Sequence, residues 1–226
     1  QSIPFVGDFG CQHPESIALD EYRIYFVDKA RGAVLRLSRD GITEISSNGM
    51  DNWFNSKLER TQSAIGSFDD SKSEYNVTLH EVISTGQSKN VYTLSFDEST
   101  NGWVSFKSFI KESGLSLNNK YYTFKGGRLF KHHSDIVDRN WFYNKAYESN
   151  VTTLINMQPS VVKSFRTISY EGSQSKIVNN NSDGQHVNIV SVNGWSVDSI
   201  KTDQQEGKVD EFIEKEGKWF NNIKGK

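Results

Sequence analysis

The amino-acid sequence predicts a mostly β fold, built from antiparallel meanders that resemble β-propeller blades, with short helices and a less regular C-terminal part. Short runs of alternating apolar and polar residues recur at near-regular spacing, and turn-forming residues separate them. Aromatic residues make up 12% of a chain whose hydrophobic fraction is 35%. Because each aromatic side chain buries a large area, this composition can still build a core.

The clearest strand pattern lies between residues 17 and 45. The predicted strands run from Ile17 to Leu19, Arg23 to Val27, Ala33 to Leu37 and Ile42 to Ile45. The last turn contains Asp40-Gly41, a pair that tolerates the positive φ of a tight hairpin. Four meandering strands of this length are typical of one propeller blade.

A short amphipathic helix is predicted next, because apolar residues recur at helical spacing. They are Met50, Trp53, Phe54 and Leu58. We expect this helix to cover a sheet edge or the junction of two blades. Strand-like sequence resumes in SEYNVTLHEVIS, NVYTLSFDE and GWVSFKSFI, and the stretch from Ile65 to Phe68 is a candidate fourth strand. These four runs fit a second blade.

A hairpin in YYTFKGGRLFKHH, with Gly126-Gly127 at its turn, could open a third blade, since glycine reaches the required dihedral angles freely. Beyond residue 150 a polar loop is predicted at VNNNSDGQ, a strand at VNIVSVNGW, and a short helix from Val209 to Glu214 followed by an exposed tail. We expect a blade-like β region over residues 1–148 and a C-terminal α+β or β extension over residues 149–226, packed on the first.

Charge and cysteine content exclude several classes of protein. The chain has 26 basic and 28 acidic residues, so it lacks the basic surplus of a tight DNA-binding domain. Cys11 is the only cysteine, which excludes an intrachain disulfide framework or a cysteine zinc site. No stretch approaches the length of an apolar membrane span. The sequence starts without Met and stops without an obvious closing element, so we expect a fragment of a longer polypeptide.

Candidate catalytic and metal-binding residues have simpler structural explanations. On a regular strand, His132-His133 would point to opposite faces and could not readily bind one ion. Asp69-Asp70 and Asp97-Glu98 offer paired carboxylates for glycoside hydrolysis, but both pairs lie beside turn-forming residues.

A partial calcium-loop pattern lies further along the chain. It consists of Asn179, Asn181, Asp183 and Gly184, and the bidentate Glu that it requires is replaced by Val190. The sequence contains no G-x-S-x-G, Walker A or G-x-G-x-x-G motif. We therefore predict no catalytic residue, no cofactor and no metal ligand.

The tryptophans raise a binding hypothesis, because exposed indole rings stack on sugars and bases. Core packing is the favoured interpretation, since Trp103 and Trp195 each follow a glycine and resemble strand starts. The tryptophans kept as candidate interaction residues are Trp53, Trp103, Trp141 and Trp195. A second candidate surface, weakly similar to a single-stranded-DNA site and diluted by nearby acids, combines Lys107, Lys111, Lys120 and Lys125 with Tyr121, Tyr122 and Phe124.

Long segments of the chain resemble known proteins. They are IYFVDKARGAVLRLSRDGITEIS with GMDNWF, GWVSFKSFIKESGLSLNNKYYTFKGGRLFKHH, PSVVKSFRTISYEGSQ and EFIEKEGKWFNNIKG. They resemble virion structural proteins of tailed phages, including crAss-like and marine phages. In crAss-like phages such proteins look like the tail muzzle, which is related in architecture to the β-propeller nozzle of short-tailed phages. Such proteins are longer than this chain and carry flanking regions that it lacks.

The resemblance implies a structural component of the virion tail that is not an enzyme and is made in the cytoplasm of the bacterial host. The implied partners are other copies of itself and neighbouring tail proteins around the DNA exit channel, with transient contact with packaged DNA and no membrane span. The alternative is a receptor- or carbohydrate-binding module at the tail. A depolymerising enzyme, the third hypothesis, requires two facing carboxylates in a cleft.

Overall fold

Antiparallel β-strands dominate the structure. The computed structural model describes residues 7–83, 88–172 and 195–225. The chain divides into two units, unit 1 with residues 1–151 and unit 2 with residues 152–226. All strand pairs among the described residues are antiparallel. The prediction of a mostly β, antiparallel fold is confirmed.

The first sheet of unit 1 pairs four strands in chain order. They are β1 (Ala18–Asp20), β2 (Arg23–Asp28), β3 (Ala33–Ser38) and β4 (Gly41–Glu44). In the last turn Gly41 adopts a φ of 113°, a conformation that the predicted Asp-Gly pair makes available. Each predicted strand is confirmed, with its ends displaced by at most one residue.

The predicted helix is also confirmed, as α1 (Asp51–Glu59). It buries Phe54 and Leu58 and contacts β3 of the first sheet. The second sheet follows and again pairs in chain order: β5 (Thr61–Asp69), β6 (Glu74–Ile83), β7 (Ser88–Asp97) and β8 (Gly102–Lys107). Because α1 contacts β6 as well, it lies at the junction of the two sheets.

The apolar core of unit 1 lies between the first and second sheets. Tyr25 stacks on Phe68 and Tyr75, with ring centroids 5.5 and 4.9 Å apart. Buried side chains from both sheets and from α1 surround this stack: Val27, Val34, Ile45, Phe54, Leu58, Ala64, Val77, Leu79, Leu94 and Phe96. Each of these side chains except Ala64 contributes about 1.5–3 kcal/mol on burial, so the core is the main source of stability in unit 1.

A short 3₁₀ turn, Pro14–Ser16, closes one side of this core. Ser16 Oγ accepts a hydrogen bond from Val27 N at 3.0 Å, and Ser16 O accepts one from Tyr75 Oη at 2.7 Å. The turn approaches the second sheet at Gly66, where an added Cβ would lie 1.9 Å from Ser16 O. Only glycine fits this contact.

The third sheet has three strands, β9 (Ser113–Leu117), β10 (Lys120–Lys125) and β11 (Arg128–Lys131). Gly126 and Gly127, with φ of 57° and 71°, form the predicted hairpin turn. The hydroxyl of Ser116 donates to Phe68 O and accepts from Asp70 N, so β9 covers the free edge of β5. A small hairpin, β12 (Trp141–Phe142) and β13 (Lys145–Ala146), completes unit 1.

Unit 2 contains two three-stranded sheets. The strands are β14 (Thr167–Glu171), β15 (Val197–Lys201), β16 (Glu206–Val209), β17 (Ile213–Lys215), β18 (Lys218–Asn222) and β19 (Lys224–Gly225). One sheet has the order β14-β18-β17 and the other β15-β16-β19. The predicted polar loop over residues 178–185, and the predicted strand over residues 187–195 except its last residue, lie outside the described residues.

The helix predicted from Val209 to Glu214 is wrong. Val209 ends β16, and Glu214 lies in β17, which pairs with β18 across a turn at Glu216 and Gly217. Both turn residues have positive φ, 55° and 78°, as a tight hairpin requires. So short a helix is marginal in water. The segment after Glu214 is exposed at most positions, as predicted, but it is not a free tail, because β18 pairs on both sides.

The described residues form three meander sheets in unit 1 but no closed barrel or propeller. The antiparallel sheets are confirmed, whereas the resemblance to propeller blades stays a prediction. No helix in the described ranges has the length and apolar character needed to cross a membrane.

Gly66→Ala is expected to lower the free energy of unfolding by about 1–3 kcal/mol, because the new methyl group meets backbone at Ser16. Urea denaturation of both proteins measures the change. Gly102→Ala is the matched control, since Gly102 also lies in a strand and its nearest new contact would be an ordinary 3.7 Å. Equal stability of the two variants would contradict the close approach at Gly66.

Candidate interaction surfaces

The second sheet carries a polar face on the side opposite the apolar core. Asn76 pairs with Ser67 and Ser95, and Thr78 pairs with Thr93, so these side chains share one face. All five are buried. The Thr78 and Thr93 hydroxyls lie 2.8 Å apart, and Ser95 Oγ donates to Asn76 Oδ1 at 2.5 Å. Because buried hydroxyl and amide groups need partners, this face requires a polar cover.

Lys111 supplies part of that cover. Its side chain is fully buried, and Nζ donates to Asn76 O at 3.0 Å and to Thr78 Oγ1 at 3.1 Å. No described carboxylate forms an ion pair with it, and burial lowers its pKa to about 7. The prediction that placed Lys111 on an exposed basic surface is therefore wrong.

The other members of that predicted basic surface do not form one cluster of free charges. Lys107 is paired with Glu74 at 3.1 Å, and Lys125 lies 3.9 Å from Glu112. Tyr121 is buried and its hydroxyl lies 2.7 Å from Ser67 Oγ. The tyrosine thus belongs to the polar layer between the second and third sheets. With Lys107 and Lys125 close to glutamates and Tyr121 buried, these residues do not form the basic, aromatic surface that a nucleic-acid site requires.

The two adjacent histidines occupy the same layer. They follow β11 instead of lying on a strand, and His133 has a φ of 55°, so their ring centroids approach to 6.2 Å. The expectation of opposite faces is wrong for this reason. His132 Nε2 lies 2.7 Å from Thr123 Oγ1 and His133 Nε2 lies 2.6 Å from Asp69 Oδ2.

His132 and Asp69 differ in the direction in which their surroundings favour ionisation. Burial, together with the neighbouring His133, lowers the pKa of His132 to about 4, so this ring is neutral near pH 7. Burial alone would raise the pKa of Asp69, but hydrogen bonds from His133 and Ser71 hold it below its usual value. No group of three or more metal-ligating residues occurs in the described ranges. The partial calcium loop from Asn179 to Gly184 lies outside those ranges.

The two carboxylate pairs stabilise turns and ion pairs. Asp69 Oδ1 accepts hydrogen bonds from the backbone and hydroxyl of Ser71, and Asp97 Oδ1 accepts the equivalent two from Ser99. Glu98 accepts hydrogen bonds from Tyr25 Oη at 2.6 Å and from Arg36 at 2.9 Å. The interpretation of both aspartates as turn residues is confirmed.

A groove of about 920 Å³ opens beside the polar face of the second sheet. The end of β8, the end of β11 and the β12–β13 hairpin border it. Residues on its walls include Lys72, Ser105, Arg139, Trp141, Asn144 and Glu148.

Two of the candidate tryptophans pack against the core of unit 1. Trp53 makes edge-to-face contacts with three aromatic rings, among them Tyr92 at 5.5 Å. Trp103 lies in β8, and its indole N–H donates to Ile45 O at 2.9 Å. Both rings therefore pack within unit 1, as the core-packing interpretation predicts.

The remaining tryptophans differ in exposure. Trp141 lines the groove and is 44% exposed, and its indole has no ring contact or hydrogen bond to another described residue. Trp195 precedes β15 and is 42% exposed, so its predicted core position is wrong. Trp219 donates to Gly172 O at 3.1 Å and stacks on Tyr170 within unit 2. Trp141 is therefore a partly exposed tryptophan whose ring makes no ring contact or hydrogen bond within the described part of the chain.

Apolar side chains also face outward on the first and third sheets of unit 1. In the first sheet one register row faces away from the core and consists of Leu19, Ile24, Leu37 and Ile42. In the third sheet the outward face consists of Leu115, Leu117, Phe124 and Leu129, which are 43%, 60%, 37% and 57% exposed. We call these the first-sheet face and the third-sheet face.

Sequence reasoning missed both faces. The detectable signal was the continuous apolar run from Ile24 to Val27, since a strand that is apolar on successive positions is apolar on both sides of its sheet. In the third sheet the signal was the alternation of Leu115 and Leu117, which places both side chains on the same side of the strand.

Comparison with known protein families gives two matches. A family model described as Crassvirus muzzle protein matches residues 7–127. A second, described as Crassvirus muzzle protein C-terminal domain, matches residues 137–226. No curated protein matches the chain.

Lys111→Met is expected to raise the free energy of unfolding at pH 7 by roughly 1–4 kcal/mol. At that pH the cost of burying an amine without a carboxylate partner exceeds what its hydrogen bonds to Asn76 O and Thr78 Oγ1 contribute, and methionine is an apolar side chain of similar length. In the wild type the pKa of Lys111 is about 7 in the folded state and 10.5 in the unfolded chain. The unfolded chain therefore binds more protons between these values, and stability rises with pH. The variant lacks this contribution.

Urea denaturation between pH 7 and about 9.5 measures both effects, below the range in which tyrosines of the unfolded chain ionise. Lys120→Met is the control, since Lys120 is exposed and its replacement leaves stability nearly unchanged. A Lys111→Met protein that is less stable than the wild type at pH 7 would show that the amine stabilises the polar layer.

Proposed function

Because the chain belongs to the Crassvirus muzzle protein family, it is a structural component of the phage tail, and we propose that its copies stack head to tail to form the muzzle wall. The wall surrounds the DNA exit channel, and the chain has no enzymatic activity in this role. The protein is made in the bacterial host cytoplasm before it assembles with its copies and with neighbouring tail proteins.

The observation that carries this proposal is the pair of outward apolar faces, of which the third-sheet face is exposed at all four residues and the first-sheet face mainly at Leu19. The first sheet packs on the apolar side of the second sheet, and the third sheet covers its polar side. The first-sheet face and the third-sheet face are therefore two different surfaces of unit 1, and they approach each other where Leu19 and Leu115 line one small pocket. An apolar sheet face is stable only when it is buried against another element.

Two different faces on one chain favour a heterologous contact. The first-sheet face of one copy packs on the third-sheet face of the next copy, and repetition of this contact closes a ring if the rotation between copies permits. A self-complementary contact would instead need one face that matches itself. A ring is the arrangement that a tubular wall requires.

The size of the faces indicates how strong the contact is. The four exposed side chains of the third-sheet face, together with Leu19 and its three less exposed neighbours on the first-sheet face, supply roughly 5–8 kcal/mol on burial. Association costs about 4–15 kcal/mol, so one contact between two isolated copies is weak. Closure of a ring adds a contact without another association step, and neighbouring tail proteins add further contacts.

The charge distribution fits a wall past which DNA moves. The net charge of the chain is −2, and Lys57, Lys107 and Lys125 are paired with glutamates. Strong retention of DNA requires many unpaired cations on one surface. We propose that contact with packaged DNA is transient.

Leu19→Glu and Leu117→Glu each place a charge in one of the two faces, and neither changes the core. We expect the wild type to form oligomers at high concentration and each variant alone to be monomeric, because a buried unpaired charge is costly. An equal mixture of the two variants retains one intact pair of faces and forms dimers. Sedimentation velocity of the three samples measures this.

Ser56→Glu, on an exposed position of α1, is the control and is expected to assemble like the wild type. The proposal is contradicted if the wild type stays monomeric at every concentration. It is also contradicted if the variants assemble normally, or if their mixture forms nothing larger than a monomer.

A further inference from the structure

Beyond its role in the muzzle wall, we propose that the groove beside the β12–β13 hairpin binds an oligosaccharide, with Trp141 as the ring on which a sugar stacks. The groove volume of about 920 Å³ lies within the range of about 300–1,000 Å³ that is usual for small-molecule sites.

The state of the Trp141 ring is the first support. The rings of Trp53 and Trp103 contact other aromatic rings, whereas the Trp141 indole lies in the groove wall without a ring or hydrogen-bond partner among the described residues. An exposed apolar ring with a polar N–H matches a sugar, which has an apolar C–H face and hydroxyl groups at its edge. When a sugar binds, it displaces the water on the exposed face of this ring and stacks there.

The hairpin that carries Trp141 is rigidly anchored. Phe142 packs on Phe109, with ring centroids 5.3 Å apart, and Tyr143 Oη lies 2.9 Å from Thr123 Oγ1. Tyr143 and Asn144 form the two-residue turn with φ of 52° and 63°. A tyrosine in this region costs about 1–2 kcal/mol, which the packing must offset. The backbone that carries Trp141 is therefore positioned before a ligand arrives, which lowers the cost of binding.

Unused polar side chains surround the ring. Arg139, Asn144 and Glu148 line the groove, and none of them forms a hydrogen bond or ion pair with another described residue. A guanidinium supplies only donors, a carboxylate only acceptors, and an amide both. This combination suits neighbouring sugar hydroxyls, each of which donates and accepts.

The charges of the groove favour a saccharide over the other polymers. Lys107 is paired with Glu74, His133 hydrogen-bonds Asp69, and the remaining charged residues of the groove are of both signs. A nucleic acid needs a surplus of cations, and an apolar peptide needs apolar walls. A neutral or weakly acidic oligosaccharide matches a polar groove with mixed charge and one free ring.

The test follows the indole N–H signals of the ¹⁵N-labelled protein during titration with three probes: maltohexaose, cellohexaose and an oligogalacturonate. We expect the Trp141 signal, assigned with Trp141→Phe, to shift and saturate with at least one probe. The Trp53 and Trp103 signals should stay unchanged and serve as internal controls. Trp141→Ala is expected to weaken binding of that probe at least tenfold, while Trp219→Phe leaves it unchanged.

The saccharide site is refuted if no probe moves the Trp141 signal, or if Trp141→Ala binds as tightly as the wild type. Unchanged Trp53 and Trp103 signals in Trp141→Ala show that the variant is folded. Sedimentation of the same variant separates the two proposals, because loss of the saccharide site leaves assembly through the first-sheet and third-sheet faces intact.

Discussion

The organisation of unit 1 depends on a second sheet that is buried on both sides by partners of opposite character. Its apolar side packs on the first sheet around the Tyr25 stack. Its other side carries hydroxyl and amide groups, which are stable in the interior only when they are hydrogen-bonded. Lys111 and Tyr121 provide that pairing at Thr78 and Ser67. The position of the third sheet is therefore set by polar contacts, whereas that of the first is set by apolar packing.

This layered arrangement explains where the candidate surfaces lie. The central strands of the second sheet are covered on both faces, whereas β8 leaves Val104 and Phe106 exposed. The outer faces of the first and third sheets are left for partners outside the unit. The polar layer also borders the groove. Asp69 and His133, which are hydrogen-bonded to each other at the edge of this layer, line the groove together with Trp141. Assembly and ligand binding thus use separate surfaces of one unit, and a change in one need not alter the other.

Local signals made much of the fold predictable. The four strands of the first sheet, α1 and the Gly126-Gly127 turn each follow from the spacing of apolar residues or from glycine. The burial of Lys111 could not be predicted in this way, because its partner Asn76 is 35 positions away in sequence. Trp103 and Trp195 each follow a glycine in sequence, and only tertiary neighbours pack one against the core and leave the other 42% exposed. The C-terminal hairpin was missed because a helical interpretation of residues 209–214 overlooked the Glu216-Gly217 turn.

The central claim is that neighbouring copies meet through the two apolar faces of unit 1. A cryo-EM map of the tail of the intact particle, resolved to side chains, tests it most directly. The account predicts that Leu19 and Ile24 of one copy contact Leu117 and Leu129 of the next around a ring. A map in which both faces are open to solvent, or covered by other residues of the same copy, would contradict it.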